Sequence, residues 1–400
     1  MNRDAGLKTY RMKLKVITPT FIGGGTDYNI NKSQYIFDPV NKKLKIIDER
    51  KLAKFLGQKR LLGSYATYIK QLDDRSIRDN SNKVNLGQWY ENTTRRMNVK
   101  GNIEDCVKYT IDVANIQKNQ LNDVACFIKD VYGMPYIPGS SIKGSIVNAI
   151  IAREIKNNRS KYHKYWQDIK REVDQPNINP RYLQNKMNPI YGRLTREILD
   201  YTILDPRNQR VDQKGMTGIS ISDTEPLDRN KMKLFQRVDM LLTDKIKNEI
   251  PVFRECLIAP AETNFSLTID TYRIKSGLGI SDIDDVMDAL NTQFEILAGA
   301  NGIFRVFRNL DAMMPFDGDD SGLLFIGGGT GYHPKTIMAA LAPDGDELLK
   351  TVRKLLHRDR PTTYIHKNDK IISPRTLKVS ENNNKMLVNG ICRIGVAKDA

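Results

Sequence analysis

Apolar and polar residues alternate at the start of the chain. In residues 10–16 every second residue is apolar, and the residues between them are basic. This period of two predicts a strand with one buried face and one basic face. Two further apolar runs, 34–37 and 44–47, flank a turn and predict a hairpin. Asp48 follows this hairpin and is expected to cap a short helix that ends near residue 55.

The middle of the chain predicts two short strands and a long helix. The apolar runs 124–128 and 134–137 lie on either side of a glycine and are expected to be strands. A Pro-Gly pair ends the second run, and a helical pattern extends from 142 to about 156. Ser140 or Ser141 is expected to be the N-cap of this helix.

Strands and helices also alternate in the second half of the chain. Apolar alternation predicts strands at 218–222, 252–258, 265–269, 323–326 and 391–396. Apolar residues at helical spacing predict helices at 284–298 and 347–356.

This order of elements predicts an α+β protein built from two ferredoxin-like (RRM-like) domains. The first domain is expected to span residues 1–215 and the second 216–400. Two polar, partly helical segments, about 57–123 and 157–214, are expected to be insertions in the first domain. The hexapeptide Phe-Ile-Gly-Gly-Gly-Thr occurs at 21–26 and again at 325–330, which suggests that the halves are related.

The charge of the chain narrows the class of partner. The 400 residues include 63 Lys and Arg against 47 Asp and Glu, a formal net charge of +16. Folded proteins with this excess of positive charge tend to bind polyanions, and nucleic acid is the most common of these. The alternative is a basic protein with no such partner.

Other residue types predict neither a metal nor a cofactor. The four cysteines, at 106, 126, 256 and 392, form no CxxC pair, and the four histidines show no metal-binding spacing. Residues 1–6 lack the apolar segment of an export signal, and no apolar run approaches the roughly 20 residues that a bilayer requires. We therefore expect a cytoplasmic protein without a membrane partner.

The second polar segment, 157–214, combines many basic residues with interleaved aromatic residues. Such a mixture can bind RNA through phosphate pairing and base stacking. The aromatic residues can equally anchor an insertion to the core. The aromatic residues in question are Tyr162, Tyr165, Trp166, Tyr182 and Tyr191.

A glycine-rich loop follows the apolar strand at 323–326. Glycines after a strand let the backbone turn tightly and approach a ligand closely. The loop is not a Walker motif, because Pro334 stands where a glycine must precede Lys-Thr. It is not a dinucleotide fingerprint either, because Tyr332 occupies the place of the third glycine, as Tyr28 does in the first loop. An RNA-backbone loop and a plain tight turn remain.

The stretch from 136 to 145 has the most specific pattern. Its serines precede a helix, where hydroxyls and bare amides can hold phosphate oxygens. Lys143 adds a cation in the first turn. Gly144 is expected to let another backbone pack against the helix.

These motifs resemble a known family. The stretches IPGSSIKGSI (137–146) and FIGGGTGYHPKT (325–336) resemble those of the RAMP superfamily of CRISPR proteins. Within it they look most like the subunit that caps the guide-RNA 3′ end in type III-A (Csm) effector complexes. The segments VITPTFIGGGTDYNI (16–30) and VFRECLIAPAETNFSLTID (252–270) are similar to that family too.

The resemblance implies two RRM-like domains that bind guide RNA (crRNA) near its 3′ end, with other RAMP subunits as neighbours. It also implies a role in antiviral RNA targeting and in guide-RNA 3′ maturation. Trimming by this chain and trimming by a recruited host nuclease both remain open, and the nuclease is favoured because no convincing catalytic set of residues is present. Target RNA is a further expected partner. The implied RNA-facing residues are Gly23, Gly24, Gly25, Thr26, Ser140, Ser141, Lys143, Gly144, Gly328, Gly329, Thr330, His333 and Lys335. Many RAMP proteins have an arginine where this chain has Val147, so Arg153 is a candidate to replace that phosphate contact.

Two enzymatic alternatives remain open. Tyr332, His333 and Lys335 supply the residue types of a metal-independent endoribonuclease that processes guide RNA. The acidic residues of 317–320, namely Asp317, Asp319 and Asp320, can bind a cation for metal-dependent hydrolysis. A non-catalytic RNA-binding subunit is the interpretation we prefer, because no convincing catalytic set of residues is present.

Overall fold

A computed structural model describes residues 6–25, 28–73, 84–116, 123–175, 180–204, 207–241, 246–307, 309–315, 322–359 and 376–397. Strands and helices are numbered in chain order. The first sheet is entirely antiparallel. Its strand order is β12 (Leu323–Phe325), β15 (Ile391–Val396), β1 (Leu7–Val16), β11 (Glu262–Asp270) and β8 (Ile219–Ile221).

The alternation predicted for the first strand is confirmed in β1. Met12, Leu14 and Val16 are fully buried, while the basic residues between them lie on the other face. Lys13 on that face forms an ion pair with Glu262 of β11 at 3.5 Å. The period of two therefore separates a core face from a charged face, as expected for a half-buried strand.

Two long helices cover the apolar face of this sheet. They are α4 (Gly139–Asn157) and α7 (Ile283–Ala298), and they pack against each other. Ile146 of α4 and Val286 of α7 share one buried cluster with Met12 of β1. Sheet and helices thus form an α+β sandwich, which confirms the predicted fold class.

The second sheet is larger and mixed. Its main path is β14 (Lys385–Val388), β13 (Thr376–Asn382), β9 (Met232–Leu241), β4 (Val107–Val113), β3 (Lys43–Ile47) and β2 (Tyr35–Asp38). β10 (Ile246–Leu257) pairs with β9, and the short β5 (Val124–Ala125) pairs with β10. A separate hairpin consists of β6 (Tyr201–Leu204) and β7 (Arg210–Gln213). The antiparallel pair of β2 and β3 confirms the predicted hairpin.

The predicted polar segments are rich in helix. The first contains α2 (Leu62–Asp73) and α3 (Leu86–Met97), which pack beside α1 (Glu49–Gln58) around a small core of their own. Asp48 caps α1 as predicted, because its Oδ1 accepts the N–H groups of Arg50 at 3.0 Å and Lys51 at 3.1 Å.

The second segment contains α5 (Arg159–Asp174) and α6 (Pro180–Leu199), which pack with α10 (Gly345–Asp359). Tyr162, Tyr165 and Trp166 of α5 are buried in the main core. These aromatic rings therefore anchor the segment and cannot stack on bases. Among the described residues, α8 (Leu310–Met313) and α9 (Met338–Leu341) are short helices.

Three details differ from the sequence-based expectations. Each large sheet contains strands from both sides of residue 216, since β1 pairs with β11 and β15 and β4 pairs with β9. The two sheets therefore do not coincide with the expected domains 1–215 and 216–400, and that division stays a prediction. Local periodicity carries no information on such long-range pairing. β4 lies inside the segment expected to be an insertion, and 134–137 contributes only an isolated bridge between Lys129 and Pro135.

Candidate RNA interface

Helix α4 begins directly against strand β8. The N–H of Gly139, the first helical residue, donates to Oδ1 of Asp223 at 2.8 Å. A Cβ at Gly139 would lie 2.3 Å from the carbonyl oxygen of Ile221, so only glycine fits this approach. A distant carboxylate thus satisfies an amide at the start of the helix, where anions are favoured.

This cap leaves the two serine hydroxyls for other partners. The prediction that Ser140 or Ser141 is the N-cap is wrong, because both lie inside the first turn and Pro138 precedes the helix. Ser140 is exposed and Ser141 is half-buried. Within the described part of the chain, neither side chain takes part in a hydrogen bond.

Lys143 and Gly144 form an open surface on the next turn. Lys143 is half-buried, and partial desolvation lowers the pKa of its ammonium group. No heavy atom lies within 4 Å of a Cβ built at Gly144, and the residue is exposed. The expected backbone packing is therefore absent at Gly144 and occurs at Gly139 instead. The open space at Gly144 leaves room for a ligand backbone beside Lys143.

The same face of α4 holds the second glycine loop. Nδ2 of Asn148 donates to the carbonyl oxygen of Pro334 at 3.1 Å, and Nε2 of Gln293 in α7 reaches the same oxygen at 3.5 Å. Asn148 follows Gly144 by four residues, so the two share one helix face. The middle of α4 and the segment that ends the second glycine loop, 186 positions apart in the sequence at this contact, are therefore neighbours in the fold.

The second glycine loop has a backbone in which the sign of φ alternates. Gly327, Gly329 and Gly331 have φ of 82°, 94° and 90°, whereas Gly328 and Thr330 between them do not have positive φ. Alternation of this kind turns successive N–H groups toward one side and creates anion-binding concavities. Thr330 is buried, and its hydroxyl donates to the carbonyl oxygen of Gly327 at 3.4 Å. The threonine hydroxyl thus supports the turn and is not presented to a ligand.

The first glycine loop lies against the second. The N–H of Gly328 donates to the carbonyl oxygen of Phe21 at 2.7 Å. Gly23 and Gly25 are exposed and Gly24 is half-buried, while Thr26 lies outside the described residues. The structure therefore brings the described part of the first copy of the hexapeptide against the second copy.

His333 occupies a different position from the one expected. It begins a short 3-10 turn, His333–Lys335, and is only 7% exposed. Its ring packs edge-on against Phe304 and Tyr332, with ring centroids 6.1 and 5.3 Å away. A packed imidazole is poorly placed for contact with RNA or for general acid–base chemistry. Lys335, at the end of the turn, is exposed.

Two arginines beside the loops were missed by the sequence analysis. Arg254 of β10 stacks on the ring of Phe21, with its guanidinium carbon 4.9 Å from the ring centroid. Its Nη1 would lie 2.6 Å from a Cβ at Gly329. Arg237 of β9 and Arg254 line one narrow cavity together with Phe21. The available signal was the pair Arg254-Glu255 inside an otherwise apolar strand.

Arg153 does not supply the phosphate contact considered for it. Its side chain is buried and donates to the carbonyl oxygens of Leu278, Gly279 and Asp285 and to the carboxylate of Asp288, at 2.8 to 3.0 Å. The guanidinium therefore joins α4 to the start of α7. Val147, at the expected arginine position, packs partly buried against the core.

No metal site lies in the described ranges, which contain no cluster of three or more His, Cys, Asp or Glu side chains suited to a metal. The acidic residues of 317–320 fall outside those ranges. Among the helices of the described residues, none combines the length and apolar composition needed to cross a membrane.

The protein has an α+β fold. Its two glycine loops expose backbone groups close to basic side chains. Residues 13–332 match the family model of the RAMP superfamily. The chain belongs to the RAMP superfamily.

Relatives in several bacteria carry the name CRISPR system Cms protein Csm5. The Enterococcus italicus protein is 23% identical over 405 residues, covering 96% of this chain and 96% of the relative. The Streptococcus thermophilus protein is 21% identical over 318 residues, covering 73% of this chain and 78% of the relative.

Solved structures show the same fold. A chain in the cryo-EM structure of a Csm-crRNA-target RNA ternary complex of a type III-A CRISPR-Cas system aligns with a TM-score of 0.61 at 16% identity. That alignment covers 97% of this chain and 100% of the other. The crystal structure of T. onnurineus Csm5 aligns with a TM-score of 0.55 at 16% identity, covering 95% and 99%.

Proposed function

We propose that this chain is the Csm5-type subunit of a type III-A CRISPR effector ribonucleoprotein, and that it binds guide RNA near its 3′ end without cleaving it. The partners are guide RNA, target RNA and other RAMP subunits of the complex. The similarity to proteins named Csm5 along nearly the whole chain supports this assignment. The proposed role in 3′ maturation is supported by the family resemblance. In this proposal a recruited host nuclease trims the 3′ end of the guide RNA.

One juxtaposition carries the RNA-binding part of the proposal. Helix α4 contacts the second glycine loop through Asn148 and Pro334, and the second loop contacts the first through Gly328 and Phe21. These three linked elements carry Lys143, Lys335 and exposed glycine backbone. Cations together with bare amides suit the RNA phosphate backbone, which supplies most sequence-independent affinity.

The position on the guide RNA is tested by cross-linking in the assembled complex. Guide RNA is prepared with one 4-thiouridine, placed either near the 3′ end or near the 5′ end. We expect the 3′ probe to cross-link this chain and the 5′ probe to cross-link other subunits. Cross-linking from the 5′ probe alone would refute the 3′ assignment.

The face itself is tested with matched lysine variants. Lys143→Gln is expected to lower the slope of log affinity against log salt by about 0.7, the value for one lost phosphate contact on single-stranded RNA. Lys54→Gln removes the same charge from the exposed side of α1 and is the control. RNA cleavage is assayed with and without EDTA in parallel with the binding measurements. RNA cleavage that disappears in His333→Ala would favour the endoribonuclease alternative.

A further inference from the structure

Positive charge outweighs negative charge beneath the second glycine loop. Arg237, Arg254 and Lys378 lie on neighbouring strands, and Lys335 lies on the loop that covers them. Asp239 is the carboxylate in this group, with its Oδ2 2.6 Å from Nζ of Lys378 and its Oδ1 3.6 Å from Nε of Arg237. The four cations therefore outnumber the carboxylate by three.

Arg254 lacks an acidic partner. In the portion of the chain that the structure describes, no carboxylate lies within ion-pair distance of its guanidinium group, and its buried Nε has no hydrogen-bond partner. Burial and the nearby Arg237 lower the pKa of Arg254. Partial desolvation of its ammonium group and the nearby Arg254 lower the pKa of Lys335 in turn. Like charges held this close destabilise the protein unless an anion joins them.

The groups around these cations select the kind of anion. Arg237 and Arg254 line one cavity with Asn389, Ser380 and Gly328. Its volume is about 10 Å³, which holds about one oxygen-sized group and excludes a nucleobase. Arginine forks and lysine ammonium groups match the geometry and charge of a phosphate. Oδ1 of Asn389 is also buried without a hydrogen-bond partner, which marks the cavity as incomplete in polar contacts.

The loop backbone supplies the outer half of such a site. Across the described residues, the N–H groups of Gly329, Thr330 and Gly331 donate to no backbone oxygen. They lie in the segment where the sign of φ alternates, and a Cβ at Gly329 would lie 2.6 Å from Nη1 of Arg254. A side chain at Gly329 would displace the guanidinium, so the glycine keeps amides and cation together.

We propose that Arg254 and Arg237, with the amides of 329–331 and Lys335, form a binding site for one phosphate of the RNA backbone. One phosphate oxygen enters the cavity, and the others face the loop amides and Lys335. The inference rests on the proposed RNA-binding function and adds the two arginines that fix one phosphate at the junction of the glycine loops.

The test uses the full chain, a labelled oligo-uridine RNA and a salt series. Arg254→Gln is expected to weaken RNA binding about tenfold, the effect of one charge-assisted hydrogen bond. It is also expected to lower the salt slope by about 0.7. Arg254→Lys keeps the positive charge but loses the planar guanidinium group. It is expected to retain the salt slope and to bind RNA with reduced affinity. Arg95→Gln removes the same charge from the exposed surface of α3 and is expected to change neither quantity.

Thermal unfolding separates this role from a structural one. An unoccupied anion site predicts that Arg254→Gln unfolds at the same or a higher temperature, because repulsion from Arg237 and Lys335 is relieved. A purely structural role on the ring of Phe21 predicts a lower unfolding temperature together with an unchanged salt slope. That pair of results would overturn the inference.

A second probe covers the case in which the isolated chain needs its neighbours to bind RNA. Inorganic phosphate, compared with chloride at equal ionic strength, is expected to stabilise the wild type and Arg95→Gln more than Arg254→Gln. Equal stabilisation of all three would overturn the inference. Equal RNA binding by wild type and Arg254→Gln would also overturn it, but would leave the proposed RNA-binding function standing.

Discussion

The N–H of Gly328 donates a hydrogen bond to the carbonyl oxygen of Phe21 at 2.7 Å, and this bond joins the two copies of the hexapeptide Phe-Ile-Gly-Gly-Gly-Thr. One copy follows β1 and the other includes the end of β12. Both strands pair with β15, so the first sheet delivers the two loops to the same place. The repeated hexapeptide therefore supplies both sides of the contact between the two loops.

Gly327→Ala is expected to destabilise the protein strongly. Its φ is 82°, and a Cβ would lie 2.1 Å from the carbonyl oxygen of Phe21. Gly331→Ala is the control, since its φ is 90° but the nearest atom, on Lys378, is 3.9 Å away. We expect losses in the free energy of unfolding of about 3 kcal/mol for Gly327→Ala and about 1 kcal/mol for Gly331→Ala. Urea unfolding measures both, and equal losses would contradict a tight contact between the loops.

Gly144→Ala is expected to stabilise the fold and weaken RNA binding. Alanine in a helix interior is more favourable than glycine by about 1 kcal/mol, and no atom obstructs a Cβ here. If the RNA backbone approaches this turn closely, the added methyl group displaces it. Gly63→Ala in α2, also unobstructed, is expected to stabilise without any effect on RNA. The two variants are compared by thermal unfolding and by RNA titration, and unchanged RNA affinity of Gly144→Ala would place the RNA elsewhere.

Glu255 supports the strand that carries Arg254. Its carboxylate is fully buried, pairs with Nζ of Lys129, and accepts from Oη of Tyr109 at 2.8 Å and the N–H of Phe127 at 3.0 Å. Glu255→Gln would leave the charge of Lys129 uncompensated, at a cost of about 3 kcal/mol.

The control for Glu255 is an exposed ion pair of the same type. Glu104 pairs with Lys45, and the Glu104 side chain is 50% exposed. Glu104→Gln is expected to cost less than about 1 kcal/mol in urea unfolding, because solvent screens the pair. Similar losses for both glutamates would show that the buried network contributes little.

Local patterns predicted individual elements well but could not predict their arrangement. The alternation in β1, the cap at Asp48 and the helical spacing of α7 depend on neighbouring residues, and each is confirmed. The cap of α4 comes from Asp223, more than eighty positions away, so the serines beside the helix were assigned in its place. Local patterns favoured the wrong residues because the true partner is brought in by the sheet.

The candidate site shows the same limit. Lys143 and the glycines were predicted from motifs, and the two glycine loops lie against each other through Gly328 and Phe21. His333 belongs to the same motif, but packing against Phe304 buries it. Arg254 lies in a strand whose pattern signals burial, and only the pairing of β9 with β10 places it beneath the loop.

The buried cysteines provide a pH-dependent check on the core. Burial raises the pKa of the Cys392 thiol to about 12, although a contact with Oγ1 of Thr20 at 3.5 Å lowers it slightly. Because the folded pKa exceeds the unfolded one, the resulting stability is fully present below the ordinary thiol pKa. It decreases as the pH rises from about 9 toward 12. In that window the wild type is expected to lose about 1.4 kcal/mol per pH unit more than Cys392→Ala, which has no thiol to ionise when unfolded. Urea midpoints of both proteins at several alkaline pH values measure this difference. Parallel pH profiles would mean that the thiol ionises as easily in the folded protein as in the unfolded chain, which would contradict its position in the core of the first sheet.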